Sequence, residues 1–322
     1  MAATNGSTVD AFAYQDFIRA ELNWVTFTKL VVIIVLTVLF VYVNFVILYA
    51  LSSKHVFKES SRYILFAHML FNDSVHLLLT FVLFFLALMF LKLGKAGCSL
   101  ILFLDATTFY NAPLNLAVMS LERYVAICFP LKHAEIATQK RTFIAISFIW
   151  LFGSMNILIN IITSAVVDPN FFYVQMFCSF EQIFMQPWQP DLFSGFNVIL
   201  FVSVTLIIVF TYISIMITAR SVSSNKDSAK KAHKTVLLHL IQLGLCTTSF
   251  LYSTIERALY IVTDSGTSIF LHLRYLNFLF LLILPRCLSP VIYGLRDDSV
   301  RPLFKNHFFH CSGKFHTAVN VQ

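Results

Sequence analysis

The stretch MSLERYVAICFPLKH, Met119–His133, closes a long apolar run with the adjacent charges Glu122 and Arg123. The chain around it is 58% hydrophobic and only 12% charged over 322 residues, with a mean hydropathy of +0.78. A soluble domain has about a quarter of its residues charged, so most of this surface must face something other than water. In that setting the pair is either an ordinary interfacial charge pair with snorkelling side chains or a functional switch.

Seven apolar stretches are long enough to cross a membrane, because about 20 helical residues span roughly 30 Å of hydrocarbon. They cover residues 29–51, 62–91, 98–128, 141–166, 191–219, 232–262 and 269–295. A membrane barrel would instead show alternating segments of about ten residues. The sequence therefore predicts an all-α membrane protein with an N-terminal segment 1–28, a seven-transmembrane helix bundle 29–295 and a tail 296–322.

Basic residues are distributed unevenly between the two sides of the predicted bundle. The segments after spans one, three, five and seven hold fifteen Lys and Arg, whereas the N-terminal segment and the other loops hold six. Cytoplasmic loops are enriched in Lys and Arg, so the first set is predicted to be cytoplasmic and the N-terminus outside. A glycosylation sequon at Asn5 agrees with this orientation. After Arg296, DDSVRPLFKNHFF separates apolar from basic residues and predicts a short amphipathic helix along the inner membrane surface.

Two of the six cysteines are predicted to face the oxidising side, Cys98 at the outer end of span three and Cys178 in the long outer loop. A disulfide between them is the economical interpretation, and two buried free thiols are the alternative. Cysteines within spans behave as small apolar residues. Cys311 follows the amphipathic segment and is a candidate for palmitoylation.

Ionisable side chains inside a membrane are costly, so each indicates a function or a partner. Asp73 lies in the middle of span two, Asp105 in the outer third of span three and Arg286 in the middle of span seven. Asn44 is polar at a similar depth in span one. Asp105 and Arg123 are 18 residues apart. This is five helical turns, so they share one face about 27 Å apart. Span three therefore presents an acid near the outside and a base near the cytoplasm.

Four stretches resemble the sequence motifs of one receptor family. MSLERYVAICFPLKH is similar to the odorant-receptor motif MAYDRYVAICxPLxY, and KAHKTVLLHL (231–240) to KAxxTCxxHL at the start of span six, with Thr235 and His239 matching. LSPVIYGLR (288–296) is similar to the span-seven ending NPxxYxLR, and LFNDSVHLLL (70–79) carries the span-two Asp. The whole chain thus resembles rhodopsin-like G-protein-coupled receptors, and within them odorant receptors of the fish type.

The chain departs from the family pattern at a few positions. Glu122 replaces Asp beside the arginine and keeps the carboxylate, Ser289 replaces Asn before a proline, and Val236 replaces Cys in the span-six motif. The long outer loop has one cysteine where many odorant receptors have three, so the family's additional loop disulfide is not expected here.

The resemblance implies a receptor that binds a small odorant on the extracellular side and activates a heterotrimeric G protein. It implies the olfactory stimulatory type, which raises cyclic AMP, and a plasma-membrane location in the cilia of olfactory neurons. By the same resemblance, Arg123 is neutralised by Glu122 at rest and released on activation. The candidate switch residues are Glu122, Arg123, Tyr124, Tyr212, His239 and Tyr293.

A second candidate set is the polar core formed by Asn44, Asp73, Arg286 and Ser289. In the resembled family the span-two Asp faces span seven, and in many relatives it holds a sodium ion. An unpaired Arg at this depth costs roughly several kcal/mol, so we expect Arg286 to pair with Asp73 in place of the ion. Alternatively, Arg286 faces a water-filled cavity and Asp73 hydrogen-bonds to Asn44 or Ser289.

Asp105 is the candidate ligand contact, because it occupies the position at which amine receptors carry the carboxylate that binds a cationic amine. Alternatively, it forms a structural pair with Arg257, Lys92 or Lys95 near the outer rim. Arg257 and Arg274 could instead receive an anionic group. The predicted apolar lining comprises Leu102, Phe109, Tyr110, Phe250, Leu251, Thr254 and Leu279.

Other protein classes fit the sequence less well. A transporter or channel would show repeats or broken helices with paired polar midplane residues, and an intramembrane enzyme would need a nucleophile–base pair or a metal motif. No enzymatic activity, cofactor or metal is therefore expected. The basic residues behind the net charge of +7 lie between the spans, where membrane topology explains them better than binding of nucleic acid does. The expected partners are therefore a small odorant, a G protein and membrane lipids. A non-odorant rhodopsin-like receptor for an amine or lipid mediator is the alternative.

Overall fold

A computed structural model describes residues 24–53, 57, 59–89, 91–222, 241, 244–245, 248–249, 251–263, 268–288 and 290. Several predicted features lie outside these residues and stay predictions. They are Asn5, His239, Phe250, Ser289, Tyr293, Cys311 and the amphipathic helix of the tail.

Five long helices form most of the described part of the bundle. They are α1 (Trp24–Ser53), α2 (Ser61–Leu88), α3 (Lys95–Cys128), α5 (Gln139–Val167) and α6 (Gln189–Val222). They coincide with predicted spans one to five, and their ends lie within a few residues of the predicted ends. Among the described helices, α1, α2, α5 and α6 contain segments long and apolar enough to cross a membrane. Each satisfies its backbone hydrogen bonds internally, as a lipid environment requires.

The central helix α3 is more polar than its neighbours. It packs against α2, α5 and α6. Asp105, Thr108, Asn111 and Asn115 follow one another at intervals of three or four residues and are all buried. Residues at this spacing share a helix face. The polar side chains of α3 are thus turned toward other helices, which supply their hydrogen-bond partners.

Short extended segments cover one end of the bundle. Strand β1 (Lys92–Gly94) precedes α3 and pairs antiparallel with β2 (Gln175–Phe177) of the long loop. A 3-10 turn at Phe180–Gln182 follows. The loop also carries the Cys98–Cys178 bond, so we call this the disulfide end of the bundle.

The opposite end carries the charged pair of the opening stretch, and we call it the Arg123 end. Helix α4 (Pro130–Ile136) begins there, directly after α3, with proline in its first turn. The later part of the chain contributes α7 (Tyr252–Thr263) and α8 (Ser268–Phe278). A π-helical turn at Leu279–Ile283 continues α8, and such turns are frequent at functional sites.

Apolar side chains both fill the bundle and cover its outside. The buried core between α2, α3, α5 and α6 includes Leu65, Leu70, Leu116, Ile157 and Leu200. Exposed apolar side chains on the helices include Val38, Phe45, Phe148, Ile199 and Leu206. A contiguous apolar exterior of this kind is unfavourable in water and suits contact with lipid tails.

Candidate functional site

The predicted disulfide is confirmed: Cys98 in the first turn of α3 is bonded to Cys178 in the loop after β2. The bond holds the loop against the end of α3. Leu102, one of the predicted lining residues, is buried in an apolar cluster with Met176 and Ile183 of that loop. Leu102 therefore packs against the loop that covers the disulfide end.

An ion pair lies near the disulfide. Lys95 Nζ is 2.6 Å from Asp168 Oδ2, although Lys95 is only 3% exposed. The ammonium also lies over the Phe171 ring. The hydrogen bond from Lys95 holds the pKa of Asp168 below its ordinary value. This contact ties the start of α3 to the end of α5.

The partners of Asp105 come from α2. Thr80 Oγ1 donates to Asp105 Oδ1 at 3.1 Å, and His76 Nδ1 lies 3.3 Å from the same oxygen. The alternative pairing of Asp105 with Lys92 or Lys95 is wrong. The Lys92 ammonium lies over the Phe177 ring, and the Lys95 ammonium binds the Asp168 carboxylate. The Arg257 side chain is outside the described part of the structure.

His76 is a site residue that the sequence pattern does not single out. Its side chain is 3% exposed, and its ring centroid lies 5.9 Å from that of Phe109 on α3. The signal that could have found it is its distance from Asp73. Three residues make nearly one helical turn, so a histidine at this spacing lies on the same inward face as the acid.

Tyr110 takes part in a hydrogen-bond chain between three helices. Its hydroxyl donates to Asn197 Oδ1 on α6 at 2.7 Å and accepts from Asn156 Nδ2 on α5 at 3.4 Å. Asn160 Nδ2 donates to Asn156 Oδ1, and Gln189 Nε2 donates to Asn160 Oδ1 at 3.1 Å. Gln189 Oε1 accepts from two backbone N–H groups of the loop. The Tyr110 hydroxyl therefore links α3 to α5 and α6 by hydrogen bonds.

The other predicted lining residues occupy varied positions. Phe109 packs edge-on against Tyr110, with ring centroids 5.4 Å apart. Leu279 lies in the π-helical turn and packs against the apolar residues around it. Leu251 is about half-exposed, and Thr254 lies on α7 without a described side chain. Arg274, considered above as a contact for an anionic group, forms an ion pair in which its Nε lies 2.6 Å from Glu256 Oε1.

The expected contact between spans two and seven is present. Arg286 Nη1 donates to Asp73 Oδ1 at 3.0 Å, and the two side chains are 2% and 1% exposed. Arg286 Nη2 also donates to the carbonyl of Phe109 at 3.1 Å. The alternative of a solvated Arg286 is wrong, because the side chain is buried. Asn44 Nδ2 donates to Ser74 Oγ at 2.9 Å instead of to Asp73.

At the Arg123 end, the Glu122 carboxylate contacts two basic groups. Its Oε2 lies 3.6 Å from Arg123 Nε, and its Oε1 lies 3.1 Å from His133 Nε2 on α4. The Glu122 side chain is 8% exposed, whereas that of His133 is 35% exposed. His133 belongs to the opening stretch and stands where the resembled motif has Tyr. This departure from the motif is the sequence feature that could have predicted the contact of His133 with Glu122.

The other described switch candidates lie where α3 meets α6. The rings of Tyr124 and Phe210 are 5.6 Å apart, and Tyr212 is half-buried two residues further along α6. Cys128 Sγ lies 3.3 Å from Thr218 Oγ1. These contacts hold the two helices together at the Arg123 end.

Comparison with known families identifies this arrangement. Residues 43–293 match the family described as 7 transmembrane receptor (rhodopsin family). The chain belongs to the rhodopsin family of seven-transmembrane receptors. A zebrafish protein named Odorant receptor 131-2 is 33% identical to this receptor over 277 residues, which cover 85% of this chain and 84% of that protein.

Further relatives carry similar names. Human Olfactory receptor 2M5 is 28% identical over 222 residues, 65% of this chain and 66% of that protein. The chicken Olfactory receptor-like protein COR4 is 26% identical over 269 residues, 79% of this chain and 81% of that protein. The resemblance to odorant receptors is thereby confirmed, and the receptor is a multi-pass membrane protein of a family of receptors rather than enzymes.

Proposed function

We propose that this receptor binds a small odorant at the disulfide end and activates a heterotrimeric G protein at the Arg123 end. The observation that carries the proposal is the unbroken helix α3, Lys95–Cys128, which has Asp105 near one end and the Glu122–Arg123 pair near the other. A ligand that binds one arrangement of the helices more tightly shifts the population toward it. A helix shared by both sites can couple such a shift to the G protein.

The orientation in the membrane follows from two independent features. Disulfides form in oxidising compartments, which favours placing the disulfide end outside the cell. The excess of Lys and Arg in the segments on the Arg123 side favours a cytoplasmic position for that end. In this orientation Asn5 is outside and available for glycosylation, while Cys311 is inside and available for palmitoylation.

The proposed switch is centred on Arg123, which Glu122 neutralises in the resting state. Activation releases Arg123 and rearranges Tyr124, Tyr212, His239 and Tyr293 around it. Asn44, Asp73, Arg286 and Ser289 form the polar core that holds the spans together. The proposed pocket is lined by Leu102, Phe109, Tyr110, Phe250, Leu251, Thr254 and Leu279, with Asp105 as its charged group.

A ligand screen with a cyclic AMP readout tests the proposal. The full chain is expressed with the olfactory stimulatory G protein, surface receptor is quantified, and a broad odorant panel is applied. We expect at least one odorant to raise cyclic AMP. Arg123→Ala should abolish the response without loss of surface receptor, while Arg141→Ala, at an exposed arginine near the same end, should preserve it. Responses confined to lipid mediators would contradict the odorant assignment.

A further inference from the structure

The segment between α5 and β2 buries one aromatic side chain and exposes the next two. Phe171 is 5% exposed and lies under the Lys95 ammonium. Phe172 and Tyr173 are 73% and 85% exposed among the residues that the structure describes. The Phe172 ring packs edge-on against that of Phe171, with ring centroids 5.4 Å apart. Two large aromatic side chains therefore project from a segment whose inner side is closely packed.

Backbone hydrogen bonds hold this segment in a defined turn. The N–H groups of Tyr173 and Val174 donate to the carbonyl of Asn170 at 2.8 and 3.1 Å. The N–H of Lys95 donates to the carbonyl of Val174 at 2.8 Å, and its ammonium binds Asp168. These contacts fix the turn on the start of α3. The exposure of the two rings is thus imposed by the fold.

The apolar outer surface of α5 reaches the end of the helix next to this turn. Ile159, Ile162 and Val166 are exposed and follow one another at intervals of three and four residues, so they lie on one helix face. Phe172 and Tyr173 follow directly after the end of that helix. An apolar surface that extends from the lipid-facing side of a helix favours lipid over an aqueous partner.

The length of α5 places the turn in the headgroup layer of the membrane. Arg141 lies near the opposite end of α5, and about 20 residues beyond it are enough to cross the hydrocarbon. Because α5 continues to Val167, its last turn and the segment after it lie beyond the hydrocarbon. In residues 166–174 the one charged side chain is Asp168, which Lys95 binds. Aromatic side chains are enriched in the headgroup layer.

We propose that Phe172 and Tyr173 insert into the headgroup layer of the outer leaflet and anchor the loop to the membrane. The Phe172 ring reaches the boundary with the lipid tails, and the Tyr173 hydroxyl stays among the polar headgroups. The loop that covers the disulfide end is then held on two sides, by the Cys98–Cys178 bond and by lipid. The inference goes beyond the proposed function and uses the proposed orientation only to name the leaflet.

Lipid quenching of tryptophan fluorescence tests the anchor. The purified full chain is placed in phosphatidylcholine nanodiscs, and Tyr173→Trp is compared with the wild type, so that the difference in emission isolates the added tryptophan. We expect its emission at shorter wavelength than that of tryptophan in water. A nitroxide at the start of the lipid tails should quench it more than a nitroxide at their end. The measurement uses no odorant and no G protein, so its outcome is independent of the proposed function.

Two further variants complete this experiment. Phe172→Trp should repeat the result, which keeps the test decisive if one variant folds poorly. Glu181→Trp is the matched control at an exposed position in the 3-10 turn of the same loop, and its added emission should stay that of tryptophan in water. Emission of that kind at residues 172 and 173 would overturn the proposal. Emission at shorter wavelength without quenching by either lipid would also overturn it, because protein would then cover the rings.

Removal of the anchor should loosen the loop. Phe172→Ser with Tyr173→Ser should raise the rate of amide hydrogen exchange in β2 by about tenfold in nanodiscs, because the buried apolar surface no longer opposes local opening. Glu181→Ser with Gln182→Ser, at two exposed positions of the same loop, should leave that rate unchanged. Equal exchange rates in the two double variants would overturn the role of the rings as an anchor.

Discussion

Arg286 and Asp73 form an ion pair in the middle of the bundle, with Nη1 and Oδ1 3.0 Å apart and both side chains at most 2% exposed. Arg286 also donates to the carbonyl of Phe109 on α3. One guanidinium thus joins the second, third and seventh spans. Its charge balances an acid that would otherwise be costly at this depth.

Breaking this pair should strongly destabilise the receptor. Arg286→Met leaves the Asp73 carboxylate without its guanidinium, and removing one partner of a buried pair costs about 3–5 kcal/mol. We expect loss of surface receptor and a lower thermal unfolding midpoint in detergent. The exchange of both residues, Asp73→Arg with Arg286→Asp, should recover part of what each single change loses. A double variant no better than the singles would rule out the pair as the source of stability.

Glu122→Gln should raise signalling in the absence of ligand. The substitution removes the negative charge that contacts both Arg123 and His133. Loss of about 1 kcal/mol of preference for the resting state corresponds to roughly a fivefold rise in the active fraction. Basal cyclic AMP per surface receptor measures this. Glu135→Gln, at an exposed acid on α4, the short helix that carries His133, should leave basal cyclic AMP unchanged. Equal effects of the two substitutions would argue against a specific role of Glu122.

Gly153→Ala should separate α3 from α5. A Cβ at Gly153 would overlap the Asn111 side-chain amide, which donates to the carbonyls of Thr107 and Ile149. Overpacking of this kind costs about 1–3 kcal/mol, measurable as a lower unfolding midpoint. Gly195→Ala on α6 is the control, because nothing lies within 4 Å of its added Cβ. It should be neutral or slightly stabilising, since alanine favours helices. If Gly153→Ala matched this control, the close approach would not matter for stability.

Tyr110→Phe should destabilise the bundle without changing its shape. The substitution removes the hydroxyl that bonds to Asn197 and Asn156, so the buried Asn156 amide and the half-buried Asn197 amide both lose this partner. An unpaired buried polar group costs about 1–3 kcal/mol. Tyr173→Phe, at a residue that is 85% exposed, provides the comparison. Indistinguishable unfolding curves for the two variants would show that the hydrogen-bond chain does not stabilise the receptor.

The Lys95–Asp168 pair at the disulfide end should make the stability of the receptor depend on pH in the acidic range. Lys95 lowers the pKa of Asp168, so the carboxylate stabilises the fold above its unfolded-state pKa and this contribution is lost as the pH falls through the lower, folded-state value. The unfolding midpoint of the purified receptor should therefore fall on acidification below about pH 4. The unfolding midpoint of Lys95→Met should fall less steeply over that pH range.

The control for this experiment is Lys92→Met. The Lys92 ammonium lies over the Phe177 ring, so its removal deletes a nearby positive charge but leaves the Lys95–Asp168 contact in place. It should keep the wild-type acid dependence. The same slope for Lys95→Met and Lys92→Met would assign the acid dependence to other carboxylates.

The sequence predicted some contacts of the candidate sites and missed others, and this difference has a physical basis. The contact of Asp73 with Arg286 was predictable, because a buried charge needs an opposite charge at the same depth and few are available. The partners of Asp105 were not, because His76 and Thr80 are ordinary polar residues that gain their role from facing it. The contact of His133 with Glu122 depends on how α4 folds back beside α3.

The sequence by itself determined the long apolar helices, the Cys98–Cys178 pairing and the common face of Asp105 and Arg123. The helices and the common face follow from local composition and helical period, which do not depend on neighbours, and the cysteine pairing follows from the side of the membrane that each cysteine is predicted to face. Only the tertiary structure decided that Lys95 binds Asp168, that Asp105 faces His76, and that the Tyr110 hydroxyl joins three helices. Such contacts depend on the rotation and depth of each helix against the others. Those are set by the packing of many side chains together, and no single stretch of sequence contains them.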